Sequence, residues 1–185
     1  MGKFIFYYSV VGARKSAELI LTAHRNNMAG KKVAVFQPET NTRDGGVIKS
    51  RALKESCKAI ILTKDFDLYK WWLEHKPNLI LIDEVQFITK SQVDELVKII
   101  KDSKTLVFAY GLMSNFKGQL FETVGYMLPF VTKIVEIPTV CEMCGDAKAT
   151  MNLLIDNSKN VDGGEIIIGN HFKGVCLKCF MKHKK

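Results

Sequence analysis

The feature that most constrains the fold is a short apolar run that ends in two adjacent carboxylates. Residues Leu79 to Ile82 read Leu-Ile-Leu-Ile, and Asp83 and Glu84 follow directly. A continuous apolar run of this length is typical of a central strand buried on both faces of a parallel sheet. The two acids then lie at the carboxyl edge of that sheet, where open α/β proteins bind ligands. The pattern favours a nucleotide enzyme in which one carboxylate organises Mg²⁺ and the other acts as a base. A buried strand that simply ends in two solvated acids fits the same residues.

Strand and helix patterns alternate along most of the chain. Strands are predicted at 4–8, 32–36, 59–62, 78–82 and 105–110, and helices at 16–28, 65–75 and 91–100. Ser91 is the expected N-cap of the third helix, with Glu95 near its first turn. Such alternation predicts an α/β fold, a parallel sheet with helices on both faces.

The character of the sequence changes after Pro138. Short segments, cysteine pairs and a Gly163-Gly164 turn replace the long helices, which predicts a small lobe that contains a hairpin. We therefore expect two domains, a nucleotide-binding α/β domain over 1–136 and a metal-binding lobe over 137–185. A chain of 185 residues, 47% of them apolar, is long enough for one sizeable core and a small appendage.

The expected lobe carries four cysteines in two pairs with metal-binding spacing. Cys141 and Cys144 form one Cys-x-x-Cys pair, and Cys176 and Cys179 form the other. Two such pairs bring four thiolates to a tetrahedral centre, the arrangement of a closed structural zinc site. Disulfides and an empty or redox pair are the alternatives. They are disfavoured by the expected reducing compartment and because both pairs suit one metal. Cys57 stands alone and is expected to be a small core residue.

The turn between the first strand and the first helix occupies the position of a phosphate-binding loop. A standard loop reads Gly, four residues, then Gly-Lys-Ser/Thr, and here Lys15 and Ser16 match in place. Ser9 and Arg14 replace the two framing glycines, and Gly12 lies inside the loop. Without the surrounding pattern, Lys-Ser at a helix start indicates only an N-cap beside a solvated lysine.

Together these motifs resemble the thymidine kinase family of the zinc-bearing, RecA-like type, over almost the whole chain. The matching segments are 15–20, 38–43, 82–87, Gly111-Leu112 with Phe116, and the four cysteines. The resemblance implies a RecA-like parallel sheet with a phosphate-binding loop, plus a small zinc-ribbon-like lobe with a lasso loop. It also implies transfer of the γ-phosphate of ATP to the 5′-hydroxyl of thymidine, with Mg²⁺, and a homotetramer.

The resemblance assigns roles on the phosphate side of the site. Lys15 would hold the β- and γ-phosphates, Ser16 the metal, and Asp83 the metal through water, while Glu84 matches the general base. The remaining expected nucleotide-binding positions are Ser9, Gly12, Arg14 and Gln86.

The resemblance also implies a nucleoside pocket. Phe87 and Phe116 match aromatic residues that pack around the base, and Leu112 lies at a matching contact position. The segment 165–172 matches the lasso, which grips thymine mainly through backbone groups and here contains Ile166, Ile168, Gly169 and Phe172. Each of these apolar residues could instead belong to the core.

Several positions depart from the family pattern. Asn41 stands where Asp usually precedes Arg43, Met113 where Asp follows Gly-Leu, and Arg51 where His is usual. Arg14 is the most serious change, because a long cation occupies a position where backbone must approach phosphate. Its guanidinium could bind a phosphate, or the loop could be collapsed. Two hypotheses therefore follow: an active, divergent thymidine kinase, or an inactive descendant that binds a nucleoside, a nucleotide or a protein.

Charge and hydropathy limit the other functions. A formal charge of +8, from 27 Lys and Arg against 19 Asp and Glu, suits phosphate-bearing ligands but supports nucleic-acid binding only weakly. No apolar run approaches the length of a membrane span, and Met1 to Phe4 does not begin a signal-peptide pattern. We therefore expect a cytoplasmic protein without membrane contact.

Overall fold

The computed structural model describes residues 1–40, 46–49, 55–155 and 171–184. The strands are β1 (Lys3–Ser9), β2 (Val33–Pro38), β3 (Val47–Lys49), β4 (Ser56–Lys58), β5 (Ile60–Leu62), β6 (Leu79–Ile82), β7 (Leu106–Leu112), β8 (Lys133–Glu136), β9 (Met151–Leu154) and β10 (Phe172–Val175). The helices are α1 (Lys15–Met28), α2 (Leu68–His75), α3 (Lys90–Asp102), α4 (Glu122–Met127) and α5 (Leu177–His183). None of these helices is long and apolar enough to cross a membrane.

The main sheet has six strands in the order β5-β2-β6-β7-β1-β8, and every neighbouring pair is parallel. All four residues of β6 are buried, as the apolar run predicts for a central strand. One strand, β7, lies between β1 and β6, with Ser9 opposite Leu112 in register. The carboxyl ends of β1, β6 and β7 therefore meet at one edge of the sheet.

Helices cover both faces of this sheet, which confirms the predicted α/β fold. On one face, α2, α3 and α4 bury residues such as Trp72, Leu96 and Val124 against the sheet. On the other face, α1 packs Leu19 and Ile20 against the strands, and the β3–β4 hairpin adds to this layer. Burial of apolar side chains at about 25 cal/mol per Å² stabilises this three-layer packing.

The predicted strands and helices of the α/β region are all present, with small shifts at their ends. The expected cap of α3 was wrong: Thr89, not Ser91, is the N-cap, and it forms a reciprocal capping box with Gln92. Sequence patterns also missed the β3–β4 hairpin, β8 and α4. β8 is a short edge strand whose Ile134 is half exposed, so it lacks the pattern of a buried strand.

A second, two-stranded sheet follows, in which β9 and β10 pair antiparallel. This pairing agrees with the predicted hairpin, whose Gly163-Gly164 turn lies outside the described residues. A small cluster of buried residues joins the hairpin to α5 and two of the cysteines: Cys141, Leu153, Val175, Cys176 and Phe180. Cys57 is partly buried on β4, where it packs against the α1 side of the main core.

Candidate active site

The loop between β1 and α1 holds a buried lysine. Lys15 is 7% exposed, and its Nζ donates a hydrogen bond to the carbonyl of Val10 at 2.8 Å. Burial lowers the pKa of Lys15, while the carboxylates of Glu84 and Asp83 oppose this shift. The lysine is therefore not the solvated residue that an isolated Lys-Ser pair would indicate. Its hydrogen bond stabilises the loop, and its charge interacts with both acids at the end of β6.

Arg14 occupies the N-cap position of α1 in the left-handed conformation, with φ 58° and ψ 22°. This is the conformation that glycine adopts without cost, and Arg14 adopts it although it carries a side chain. The side chain is exposed, and within the described residues it makes no hydrogen bond or ion pair. Gly12 is exposed in the same loop, at φ 75°. Ser9, the last residue of β1, donates its hydroxyl hydrogen to the carbonyl of Ile137.

Ser16 and Asp83 meet at the base of this loop. The hydroxyl of Ser16 donates to Oδ2 of Asp83 at 3.3 Å, and Asp83 is 2% exposed. Burial and the nearby charge of Glu84 raise the pKa of Asp83 to about 7, against the opposing charge of Lys15. A hydroxyl and a carboxylate at the end of a phosphate-binding loop are the oxygen ligands that Mg²⁺ prefers. The pair therefore fits a magnesium site.

Glu84 follows Asp83 in the left-handed conformation, with φ 49° and ψ 46°. Its N–H donates to Oδ1 of Asp83 at 3.1 Å, and its side chain is partly exposed at the sheet edge. Gln86 is buried and donates from Nε2 to the Glu84 carboxylate. Its Oε1 accepts a hydrogen bond from the N–H of Leu112 at 3.0 Å. The two candidate carboxylates thus lie together, one buried and one accessible.

The expected aromatic residues divide into two groups. Phe116 and Phe172 lie together, with ring centroids 6.0 Å apart, and both are partly buried. Asn115 shapes the turn that carries Phe116, because its Oδ1 accepts hydrogen bonds from two backbone N–H groups. Phe87 instead contacts Phe121 edge to face, at a centroid distance of 5.9 Å. Phe116 lies on a turn after β7, and Phe172 lies on β10. Their contact joins segments that are far apart in the sequence, so no local pattern predicts it.

The four cysteines of the two pairs converge. Their Sγ atoms all lie within 4.8 Å of one another, so the cluster could hold one metal ion. Burial raises the pKa of the Cys141 thiol, but backbone N–H groups of Cys144, Cys176 and Met143 outweigh burial and lower it to about 6. The N–H of Cys179 also points at Sγ of Cys176, at 3.4 Å. The backbone donors therefore favour the thiolate form that zinc binds at Cys141, whereas hydrogen bonds with the neighbouring thiols, Cys176 first, and burial raise the pKa of Cys179 to about 12.

Asn152 joins the β9–β10 hairpin to the β1–α1 loop, and sequence analysis missed it. It is 3% exposed, accepts from the N–H of Val11 at 2.9 Å and donates to the carbonyl of Ser114 at 2.8 Å. Close packing accompanies these bonds, because a Cβ on Gly174 would lie 2.5 Å from Cγ2 of Val10. The available signal was a polar residue within an otherwise apolar strand, Met151–Leu154.

Part of the expected site lies outside the described residues. This applies to the lasso positions Ile166, Ile168 and Gly169, to the matching residue Arg43, and to the departures Asn41 and Arg51. Met113 lies within them and packs partly buried against the main core.

Comparison with known proteins decides the family. The family model for thymidine kinase matches residues 2–180. The chain belongs to the thymidine kinase family. Curated thymidine kinases are similar over nearly their full length. The one from Coxiella burnetii is 38% identical over 189 residues (97% of this chain, 95% of the relative), and one from Streptococcus pyogenes is 35% identical over 183 residues (96% of each).

Alignment with one solved structure is much weaker. The X-ray structure of the Legionella pneumophila ATPase DotB aligns with a TM-score of 0.43 at 11% identity, covering 80% of this chain and 43% of that chain. This match is too distant to carry an argument, and membership of the thymidine kinase family rests on the sequence matches.

Proposed function

We propose that the protein transfers the γ-phosphate of ATP to the 5′-hydroxyl of thymidine. Family membership supports this activity, and the observation that carries it is the meeting of Lys15, Ser16, Asp83 and Glu84 at one edge of the sheet. Phosphoryl transfer depends on positioning, charge neutralisation and a base near the attacking oxygen. These four side chains supply those three requirements.

In the proposed reaction, the 5′-oxygen of the nucleoside attacks the γ-phosphorus. A new P–O bond forms as the bond to the β–γ bridging oxygen breaks, which leaves ADP and thymidine monophosphate. The carboxylate of Glu84 takes the proton of the 5′-hydroxyl, since it is the accessible acid of the pair. Lys15 offers its remaining N–H donors to the β- and γ-phosphates while it stays bonded to Val10. Mg²⁺ held by Ser16 and, through water, by Asp83 would neutralise the triphosphate charge.

We place the nucleoside beside the Phe116–Phe172 pair, with Leu112 at its edge. Two partly buried rings with 6.0 Å between their centroids form an apolar wall of the kind that receives a planar base. The lasso residues Ile166, Ile168 and Gly169 remain proposed backbone contacts to thymine. Structural zinc on the four cysteines would fix the hairpin that carries Phe172. The family resemblance also supports a homotetramer, which the molar mass in solution would test.

The alternative of an inactive descendant is not favoured. Curated relatives that match 96–97% of the chain are themselves thymidine kinases. In addition, the left-handed backbone at Arg14 and the hydrogen bond from Lys15 to Val10 argue against a collapse of the loop on replacement of the framing glycines.

The test is transfer of labelled γ-phosphate from ATP to thymidine with Mg²⁺, using zinc-loaded protein. We expect turnover in the wild type and a loss of at least about 100-fold in Glu84→Gln, because general-base catalysis contributes roughly 10²- to 10⁴-fold. Glu122→Gln is the matched control, since Glu122 is highly exposed and, among the described residues, pairs only with Lys90 on the surface. An inactive wild type that is folded and zinc-replete would overturn the proposal. An unchanged rate in Glu84→Gln would remove the base role from Glu84.

A further inference from the structure

Gln86 is a buried residue whose side-chain amide forms hydrogen bonds through both its nitrogen and its oxygen beside the proposed base. It is 4% exposed, its Nε2 donates to Oε2 of Glu84, and its Oε1 accepts from the N–H of Leu112 at 3.0 Å. One amide therefore links the end of β6 to the end of β7. The family resemblance implies nucleotide binding for Gln86, but its contacts within the described residues are to Glu84 and to the backbone.

The local backbone explains why this contact forms. After β6 the chain turns sharply, since Glu84 is left-handed and Val85–Phe87 forms a short 3-10 turn closed by a hydrogen bond from the N–H of Phe87 to the carbonyl of Glu84 at 3.0 Å. The turn brings the side chain of Gln86 back onto Glu84. A left-handed conformation costs a residue with a side chain on the order of 1 kcal/mol, so surrounding contacts must hold Glu84 in place.

Gly111 provides the space for the Gln86 amide. A Cβ at this position would lie 2.5 Å from Oε1 of Gln86 and 2.9 Å from Cγ1 of Val85. Any side chain at residue 111 would therefore push the amide away from Glu84 and from Leu112. This gives a physical reason for glycine in the Gly111-Leu112 motif that sequence analysis identified.

We propose that Gln86 is a positioning residue for the general base. Its amide holds one carboxylate oxygen of Glu84 and leaves the other to accept the proton of the nucleoside hydroxyl. Leu112 and Gly111 anchor the amide to the neighbouring strand. A base must lie within hydrogen-bond reach of its proton, and misplacement of about 1 Å costs on the order of 100-fold in rate. The inference rests on the proposed function, because it assumes that Glu84 is the base.

The test is the steady-state kinetics of Gln86→Met with thymidine and MgATP. Met has a similar length but cannot make either hydrogen bond, so we expect kcat to fall about 10- to 100-fold while both KM values change less than about threefold. Gln92→Met is the matched control. Gln92 is also a buried glutamine with side-chain hydrogen bonds, to Thr63 and Thr89, but it lies on α3 away from the site. This control should lose stability and keep its kcat.

A second variant keeps the inference testable if Gln86→Met folds poorly. Gly111→Ala should lower kcat by displacing the amide, and this loss should be clearly smaller in a Gln86→Ala background, where only the close contact with Val85 remains. Fully additive losses would overturn the inference. A raised KM for ATP with unchanged kcat in Gln86→Met would also overturn it, in favour of nucleotide binding. Failure of the proposed function would look different, because then the wild type is inactive or Glu84→Gln keeps its rate.

Discussion

The side chain of Asn152 accepts a hydrogen bond from the backbone N–H of Val11, at 2.9 Å, across 141 positions of the chain. The same amide donates to the carbonyl of Ser114 at 2.8 Å. Val10 and Ala13 of the β1–α1 loop also pack against Ala149. The β9–β10 hairpin and the β1–α1 loop are therefore packed together, and disturbance of the first should reach the second.

We expect Asn152→Ala to raise the KM for ATP about 3- to 10-fold. The substitution removes two hydrogen bonds, each worth about 1 kcal/mol, and frees the loop at Val11. Steady-state kinetics with varied MgATP would measure this, together with amide hydrogen exchange at Val11, which should become faster. Asn78→Ala is the matched control, because Asn78 accepts from the N–H of Lys32 at the opposite edge of the sheet. Equal effects of the two variants on the KM for ATP would contradict the coupling.

Loss of the metal should have a related effect. We expect Cys144→Ser to reduce bound zinc, lower the melting temperature and raise the KM for ATP, since the thiolates converge beside the hairpin that holds the loop. Zinc content, thermal unfolding and kinetics would be measured on the same samples. Cys57→Ser is the control, because Cys57 lies on β4, outside the four-cysteine cluster. If Cys144→Ser lost zinc without any change in loop exchange or KM, the metal would stabilise its lobe alone.

Sequence patterns located the parts of the site that follow local rules. The apolar run before Asp83 predicted a central strand, and the two Cys-x-x-Cys pairs predicted a cluster. Both predictions succeed because strand burial and ligand spacing depend on residues that are close together in the sequence. Contacts between distant segments escaped prediction. Asn152 bonds to Val11 and to Ser114 on other segments. Gln86, which the family resemblance marked as a nucleotide-binding residue, bonds to Leu112 on β7 and to its near neighbour Glu84. A single polar residue in an apolar stretch does not indicate which partner it meets.

The same distinction explains the errors in the fold. Edge strand β8 and short helix α4 depend on tertiary packing against β1 and α3 and not on a strong pattern of their own. The cap of α3 was misplaced because Thr89 and Ser91 are both good caps. The structure selects Thr89 because Gln92, three positions later, completes the capping box.

Arg14 is expected to contribute to phosphate binding. Its guanidinium is exposed at the start of α1, next to the buried Lys15, and an arginine in this position suits a phosphate oxygen pair. We expect Arg14→Gly to weaken MgATP binding roughly 5-fold and to stabilise the free protein by about 1 kcal/mol, since glycine relieves the left-handed strain. Calorimetric titration and urea unfolding would measure the two effects.

Two comparisons separate the contributions of Arg14. Arg14→Ala removes the guanidinium and keeps the backbone strain, so it should weaken MgATP binding without the gain in stability. Arg25→Ala, at an exposed arginine paired with Glu18, should change neither quantity much. Tighter MgATP binding in Arg14→Gly would show that the side chain obstructs the loop instead of assisting it.

Asp83 should make the stability of the Mg²⁺-free protein depend on pH. Burial and Glu84 raise the pKa of Asp83 to about 7, whereas an unfolded aspartate titrates near about 4. The folded state therefore binds this proton more tightly. The resulting stabilisation is complete below about pH 4 and is lost as the pH rises through about 7. Asp83→Asn removes this dependence. From pH 5 to pH 7.5 the free energy of unfolding of the variant should therefore increase relative to that of the wild type. Urea unfolding of zinc-loaded wild type and variant at several pH values would measure both free energies of unfolding. If the difference between them stayed constant with pH, the folded state would not disfavour the ionised carboxylate of Asp83.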